Sequence, residues 1–320
     1  MWTDLLLLLY CVAIVLASLA GGWLPYLIRL THTRMQTMMS AVSGLMLGVA
    51  VLHLLPHSVE YLEGSMFTAA VWMLIGILAM FFLIRTFHFH QHSVAEEPAE
   101  GECDHDHVHN HHGGHDHDHS HHHHHGHNHG DQAGSVSWVG LALGLSLHTL
   151  IDGVALGAAM SAEAGHVHGF SVAGLGVFLA IVLHKPLDAL SISSVMASDH
   201  WPRRTRNFVN AGFAMMCPLG ALLFRFSVSG LDQQYGAVVG CALAFSAGVF
   251  LCISLGDLLP ELQFHSHDRI KLSAALLLGV AIAVGIEFLP GHSHDHGEHD
   301  GHNHGSREPE AREPGEGDRV

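Results

Sequence analysis

Long runs of apolar residues dominate this chain and alternate with shorter polar segments. A helix needs about 20 mostly apolar residues to cross the hydrocarbon core of a bilayer. Eight runs of that kind occur, at residues 4–28, 37–59, 66–87, 137–161, 170–197, 206–228, 236–260 and 271–290. The pattern predicts an all-α integral membrane protein with eight transmembrane helices. A seven-span alternative would lose the weakest run, 206–228, which carries Arg225 near its end.

Basic residues are distributed unevenly between the two sides of these predicted spans. With the N-terminus outside, the loops after spans 1, 3, 5 and 7 hold Arg29, Arg34, Arg85, Arg203, Arg204, Arg206, Arg269 and Lys271. The opposite loops hold four acidic residues, and Arg225 lies at the edge of span 6. Cytoplasmic loops carry the excess of Lys and Arg. Both termini are therefore predicted outside, and a bacterial-type plasma membrane is the expected location.

A short internal repeat links the two halves of the chain. Residues 43–57, SGLMLGVAVLHLLPH, align without gaps on residues 247–261, AGVFLCISLGDLLPE, at an offset of 204. Span 2 and span 7 cross the membrane in opposite directions, and inverted repeats that flank a site are a transporter architecture. The pattern predicts a 3+2+3 arrangement, in which inverted repeats of spans 1–3 and 6–8 surround central spans 4 and 5.

Composition agrees with a membrane protein and separates two polar segments from the spans. The chain is 49% hydrophobic and 13% charged, against about a quarter charged residues in soluble domains. Most of its acidic residues lie beside histidines in residues 88–135 and 291–320, so the net charge of -16 implies no nucleic-acid partner. The predicted organisation is 1–87 (spans 1–3), 88–135 (cytoplasmic loop), 136–198 (spans 4 and 5), 199–290 (spans 6–8) and 291–320 (outer tail).

The two polar segments are rich in metal-binding side chains. Residues 88–130 hold 18 of the 34 histidines, and residues 292–304 hold six more. Such a composition cannot build a packed core, so disorder is expected. Neutral imidazoles bind zinc, nickel or copper in many interchangeable geometries. We therefore expect both segments to concentrate metal, and neither to be needed for its translocation.

The candidate chemistry lies in the central spans. Span 4 carries His148 and Asp152, and span 5 carries His184 and Asp188 at the same spacing of four. Residues four apart share one helix face, so two such faces would offer two nitrogens and two oxygens to a divalent cation. The competing interpretation is polar residues that join helices. Two ionisable pairs near mid-membrane favour a functional site, because such groups are costly there.

At these motifs the chain resembles the ZIP (Zrt-/Irt-like) family of metal transporters. The family pattern H-N-x-x-D/E-G on span 4 is matched by His148, Thr149, Asp152 and Gly153, with Thr in place of Asn. Its span-5 pattern, H/Q-x-x-P-E/H-E/G, is matched by His184 and Asp188, with the proline one position early at Pro186.

The resemblance carries further expectations about the site. It implies eight spans, outer termini and zinc transport, and it offers Met46 on span 2 as a ligand, although core packing is an equal alternative for that side chain. Many members bind a second metal through a carboxylate at the position of Lys185, so the lysine predicts a site for one metal. A lysine that reaches toward water is the other interpretation.

The repeat also predicts a route for the ion. His53 and His57 fall at the outer end of span 2, and Asp257, Glu261, His265 and His267 fall at or beyond the inner end of span 7. Ligands of similar strength in series permit conduction without trapping. The alternative is that these are ordinary polar residues at helix ends.

The residues favour uptake of Zn²⁺ toward the cytoplasm by alternating access of the central pair against the flanking repeats. Fe²⁺, Mn²⁺, Co²⁺ and Cd²⁺ also suit His and Asp ligands. No organic cofactor and no enzymatic activity are expected, and the expected partners are metal ions and the lipid bilayer, with a homodimer left open. Two alternatives remain at this point: an exporter of the cation diffusion facilitator type, and a membrane metal sensor or buffer that does not transport.

Overall fold

The computed structural model describes residues 2–27, 32–87, 138–163, 173–231, 233–264 and 269–288, and every regular element in them is helical. The polar segments 88–135 and 291–320 lie outside the described residues. The helices are α1 (Trp2–Leu27), α2 (His32–Val49), α3 (Leu55–Tyr61), α4 (Met66–Phe87), α5 (Trp138–Glu163), α6 (Leu175–Ser198), α7 (Arg203–Ala214), α8 (Met216–Val228), α9 (Tyr235–Phe264) and α10 (Arg269–Glu287). A π-helical turn, Ala50–Leu54, joins α2 to α3.

Seven helical segments of the described chain are long and apolar enough to cross a membrane. They are Trp2–Trp23, Thr33–Tyr61, Met66–Thr86, Trp138–Glu163, Leu175–Ser198, Arg203–Val228 and Tyr235–Leu258. The protein is therefore an integral membrane protein by composition and helix length. Many large apolar side chains on these helices are exposed, Leu8 and Phe226 among them, as expected for surfaces that face lipid rather than water.

The expectation that 206–228 is the weakest span is wrong. Arg203–Val228 meets the length and composition of a span, whereas the predicted eighth span is the shorter apolar helix Ile270–Ile286. The 19 residues of α10 extend about 28 Å at 1.5 Å per residue, close to the thickness of the hydrocarbon core.

Two spans are interrupted near a proline, which has no N–H to donate to the carbonyl four residues earlier. In span 6, α7 ends at Ala214. Pro218 lies four residues later, in α8, and has no N–H to donate to the Ala214 carbonyl. In span 2, Pro56 follows the π-helical turn, in which the Leu55 N–H donates to the Ala50 carbonyl. Both interruptions leave the two helical pieces joined end to end.

The helices pack most closely in four pairs: α1 with α6, α5 with α8, α2 with α10, and α4 with α9. Contacts between α5 and α6 join the first two pairs, and α7 packs on α1, α5 and α6. Contacts between α2 and α9 join the last two pairs, and α3 packs on α9. Contacts of α5 with α9 and of α6 with α2 connect the two groups. We call the first group (α1, α5, α6, α7 and α8) the site bundle. The second group (α2, α3, α4, α9 and α10) is the supporting bundle.

Glycines allow the backbones of the closest pairs to approach. At six glycines, an added side chain would collide with a backbone carbonyl of the partner helix. Each glycine and the residue that carries the carbonyl are Gly44 and Leu276, Gly279 and Ala41, Gly248 and Met73, Gly76 and Phe245, Gly220 and Leu150, and Gly21 and Pro186. Small residues at helix contacts are typical of membrane proteins, because close packing replaces the hydrophobic effect as the driving force there.

Candidate metal site

The two central helices bring the predicted ligands together in the middle of the site bundle. His148 and Asp152 lie one turn apart on α5, and His184 and Asp188 lie one turn apart on α6. All four side chains are buried, with at most 7% of their surface exposed. We call these four residues the central cluster.

The candidate ligand atoms of the central cluster lie close together. A ligand atom from each of His148, His184 and Asp188 can be chosen so that all three lie within 4.8 Å of one another. The Oδ2 atom of Asp152 lies 3.5 Å from His148 Nε2 and 3.2 Å from His184 Nε2. Two imidazoles and two carboxylates therefore converge on one small volume, which agrees with the geometry that the sequence predicts.

A hydrogen bond to the backbone of α6 orients the His184 ring. Its Nδ1 lies 2.7 Å from the Ala180 carbonyl, so Nδ1–H donates there and Nε2 keeps a lone pair that points into the cluster. An imidazole held in this way is the usual form of a metal ligand. Asp152 Oδ1 and His148 Nδ1 are also buried, and neither has a hydrogen-bond partner among the described residues. The unpartnered Asp152 oxygen leaves ligand capacity for a cation.

Lys185 lies inside the cluster rather than reaching toward water. Its side chain is fully buried, and its Nζ lies 2.5 Å from Asp152 Oδ2 and 3.0 Å from Asp188 Oδ2. The same ammonium donates to Thr149 Oγ1 at 3.1 Å and approaches His184 Nε2 at 3.2 Å. The interpretation of Lys185 as a lysine that reaches solvent is therefore wrong. One fixed positive charge sits between two carboxylates.

Comparison with known proteins assigns the family. The family model described as ZIP Zinc transporter matches residues 4–287. The chain belongs to the ZIP family.

Individual ZIP relatives align over part of the chain. Zinc transporter ZIP9-B of Xenopus laevis is 33% identical over 166 residues, which is 48% of this chain and 52% of that protein. Zinc transporter 3 of Arabidopsis thaliana is 26% identical over 44% of this chain and 42% of its own length. Zinc transporter ZIP3 of Homo sapiens is 26% identical over 49% and 48%. The chain spans about half the length of the curated relatives it matches.

The structure locates some of the other predicted ZIP site residues. Met46 is buried on α2 among core side chains. His53 is buried in the π-helical turn, where its Nε2 lies 3.1 Å from the Ala283 carbonyl and its ring packs on Gly176 of α6. Their metal-binding roles stay predictions.

The remaining route residues lie near the helix ends or beyond the described side chains. His57 is half-buried with Nδ1 3.5 Å from Glu60 Oε2, and Asp257 is half-buried on α9. Glu261 lies on α9, but its side chain is outside the described part, as are His265 and His267 entirely. The structure thus describes the side chains of His53, His57 and Asp257, and the ion route through them stays a prediction.

Sequence reasoning missed one neighbour of the cluster. The ring of Phe213 on α7 lies 5.8 Å from Lys185 Nζ, within the range in which an aromatic face attracts a cation. Nothing marks Phe213 among the 15 phenylalanines of the sequence, because only the packing of α7 against α6 brings the ring to the lysine.

Proposed function

We propose that this ZIP-family protein carries divalent metal ions, zinc first, across a membrane toward the cytoplasm. The observation that supports the proposal most strongly is the central cluster, in which four buried metal-ligand side chains meet in the middle of two apolar helices. Burial of ionisable groups at that depth is costly and is characteristic of ion pathways. The names of the ZIP relatives agree with zinc as the transported ion.

The donor set supports zinc without excluding similar ions. Imidazole nitrogen suits zinc and its neighbours in the first transition row, and carboxylate oxygen suits harder ions. Fe²⁺, Mn²⁺, Co²⁺ and Cd²⁺ are therefore secondary substrates in this proposal. Transport needs no bond-breaking step, so the proposal includes neither an enzymatic activity nor an organic cofactor.

Lys185 supports a site for one ion at a time. The ammonium contacts both cluster carboxylates and leaves them with a net charge of about -1. A second divalent ion beside that ammonium would face repulsion from it and from the first ion. We propose that Lys185 takes the place that a second metal occupies in other ZIP proteins.

The packing supports the eight-span, 3+2+3 arrangement. An inverted repeat would exchange α1 with α7–α8, α2–α3 with α9, α4 with α10, and α5 with α6. That exchange converts the α1–α6 pair into α5–α8 and the α2–α10 pair into α4–α9, which are the four closest pairs observed.

Backbone contacts support the same symmetry at the level of residues. The offset of 204 takes Gly44 to Gly248 and Ala41 to Phe245, and both members of each pair make equivalent close contacts with a neighbouring helix. An offset of 36 residues takes His148 to His184 and Leu150 to Pro186. The carbonyls of Leu150 and Pro186 each lie against a glycine of a neighbouring helix. The two halves of the central cluster are then copies of one another.

The same packing supports a particular form of alternating access. Because α5 and α6 have their closest contacts with α8 and α1, we propose that the central pair moves together with those helices. The supporting bundle would then be the frame against which the site bundle moves. His53 and His57 line the proposed outer route, and Asp257, Glu261, His265 and His267 the inner one.

Deletion of residues 88–130 tests whether the protein is a carrier or a metal buffer. We expect the deletion variant to keep most of its zinc flux in proteoliposomes, because the central cluster lies wholly in α5 and α6. The full-length chain in the same lipids is the control. Loss of flux with the cluster intact would favour the sensor or buffer interpretation.

The predicted sidedness has its own test. A small epitope at residue 320 is expected to be labelled on intact cells, and an epitope inserted near residue 115 only after permeabilisation, because the basic loops lie inside. We propose the plasma membrane as the location, with both termini outside. Labelling of residue 115 on intact cells would reverse the orientation.

A further inference from the structure

The C-terminal end of α5 is held by two tyrosine side chains. A helix leaves its last four carbonyls without partners inside the helix, and α5 ends at Glu163. The Tyr61 hydroxyl donates to the Ala162 carbonyl at 2.7 Å, and the Tyr235 hydroxyl donates to the Ser161 carbonyl at 3.2 Å. Two consecutive carbonyls of the helix that carries His148 are therefore satisfied by side chains from elsewhere.

Both donors belong to the supporting bundle. Tyr61 is the last residue of α3 and Tyr235 is the first residue of α9. The two helix ends pack on each other, with the Tyr61 backbone close to Gly236 and its Cβ close to Gly240. The two hydroxyls thus come from neighbouring residues of the supporting bundle, and they bridge it to the site bundle.

The opposite end of the site bundle is satisfied differently. Three of the last four carbonyls of α6, those of Val195, Met196 and Ala197, accept backbone N–H groups from residues 199–201, which follow directly in the chain. No side chain of the supporting bundle donates to them in the hydrogen bonds found within the described residues. Among the described residues, side chains of the supporting bundle therefore bond to the C-terminal end of α5 but not to that of α6.

We propose that Tyr61 and Tyr235 form a hydroxyl latch, which holds the site bundle closed against the supporting bundle at the proposed outer end. The inference rests on the proposed transport function, and it makes the two tyrosines positioning residues for that function. Entry of an ion from outside requires α5 to part from α3 and α9, and both hydrogen bonds break in that step.

A further hydrogen bond connects α5 to α6 at this end of the site bundle. Glu163 Oε2 accepts the Gly174 N–H at 2.8 Å, so the end of α5 is tied to the start of α6. Opening the latch therefore frees α5 and α6 together, and the central cluster between them stays assembled. The latch sets the balance between outer-closed and outer-open states without touching the metal ligands.

Zinc uptake by cells that express the Tyr61→Phe or the Tyr235→Phe variant tests the latch. A buried neutral hydrogen bond contributes about 1 kcal/mol, so each loss raises the outer-open population about fivefold. The half-saturating zinc concentration is expected to fall about fivefold, with no loss of maximal rate. Misfolding would lower the uptake of zinc and would not raise the apparent affinity for it. Unchanged or raised half-saturating concentrations in both variants would overturn the latch.

Tyr10→Phe is the matched control. Tyr10 is buried and stacks on Phe178, but its hydroxyl has no hydrogen-bond partner among the described residues. Removal of this hydroxyl changes the ring as little as the test variants do and breaks no bond between bundles. We expect its half-saturating zinc concentration to match that of the unmodified protein.

Hydrogen exchange separates the latch from transport itself. With the full chain in nanodiscs, amides of residues 156–163 should exchange about fivefold faster in Tyr61→Phe and Tyr235→Phe, and at the original rate in Tyr10→Phe. Equal exchange in all three variants contradicts the latch. If the unmodified protein carried no zinc, the transport proposal would fail, and the exchange comparison would still decide whether the latch exists.

Discussion

Zinc flux into proteoliposomes is expected to fall about 100-fold or more when either His148 or Asp188 is replaced by alanine. Each change removes one of the four proposed ligands, and loss of a partner that merely orients a ligand already costs 10–100-fold in metal affinity or activity. His148 and Asp188 come from different helices, so equal losses in both variants would indicate that one site spans α5 and α6.

The measurement needs variants that fold. Asp188→Asn keeps the volume of the side chain and removes its charge, while Lys185 keeps its contact with Asp152. The variant should therefore lose flux while the protein stays folded and monodisperse in detergent. Asp199→Ala is the matched control, because Asp199 is exposed just beyond the end of α6. Normal flux in His148→Ala and Asp188→Ala together would refute the assignment of the central cluster as the transport site.

Lys185→Met is expected to destabilise the metal-free protein by about 3–5 kcal/mol, the range for removal of one partner from a buried ion pair. The lysine contacts Asp152 and Asp188 at 2.5 and 3.0 Å, and without it both buried carboxylates lose their counter-charge. Zinc should restore much of the stability, because a divalent ion can replace the missing ammonium. Thermal unfolding with zinc and with a chelator measures both effects.

The second lysine of the chain supplies the control for that experiment. Lys271 is exposed at the start of α10, so Lys271→Met should unfold near the temperature of the unmodified protein. Zinc should also raise the unfolding temperature more in Lys185→Met than in the unmodified protein. Equal stabilisation of both by zinc would mean that the ammonium and the metal do not compete for the same carboxylates.

These two predictions bear on the number of ions bound. If Lys185 replaces a second metal, the unmodified protein should bind one zinc ion at the cluster, and Lys185→Met should bind more zinc than the unmodified protein. The sum of buried charges gives the reason: with Lys185 present, one divalent ion already leaves the two carboxylates and the ammonium at a net charge of about +1, which repels a second ion. Without the ammonium, one divalent ion leaves a net charge of about zero, so a second ion meets less repulsion.

The sequence alone determined the features that depend on local periodicity. Runs of about 20 apolar residues predicted the spans, and the spacing of four placed each histidine and aspartate on one helix face. The residue types on these faces then predicted a metal site. The repeat also indicated which segments correspond, because the matching residues lie on one continuous stretch in each half.

Only the tertiary structure decided which of these faces meet. Local periodicity says nothing about contacts between segments far apart in the chain, because those depend on how helices pack. Packing turned Lys185 into the cluster instead of toward water, brought Phe213 beside it, and placed Tyr61 and Tyr235 on the end of α5. The candidate ligands were readable from the sequence, whereas the charge balance of the cluster and the hydrogen bonds between the bundles depend on packing.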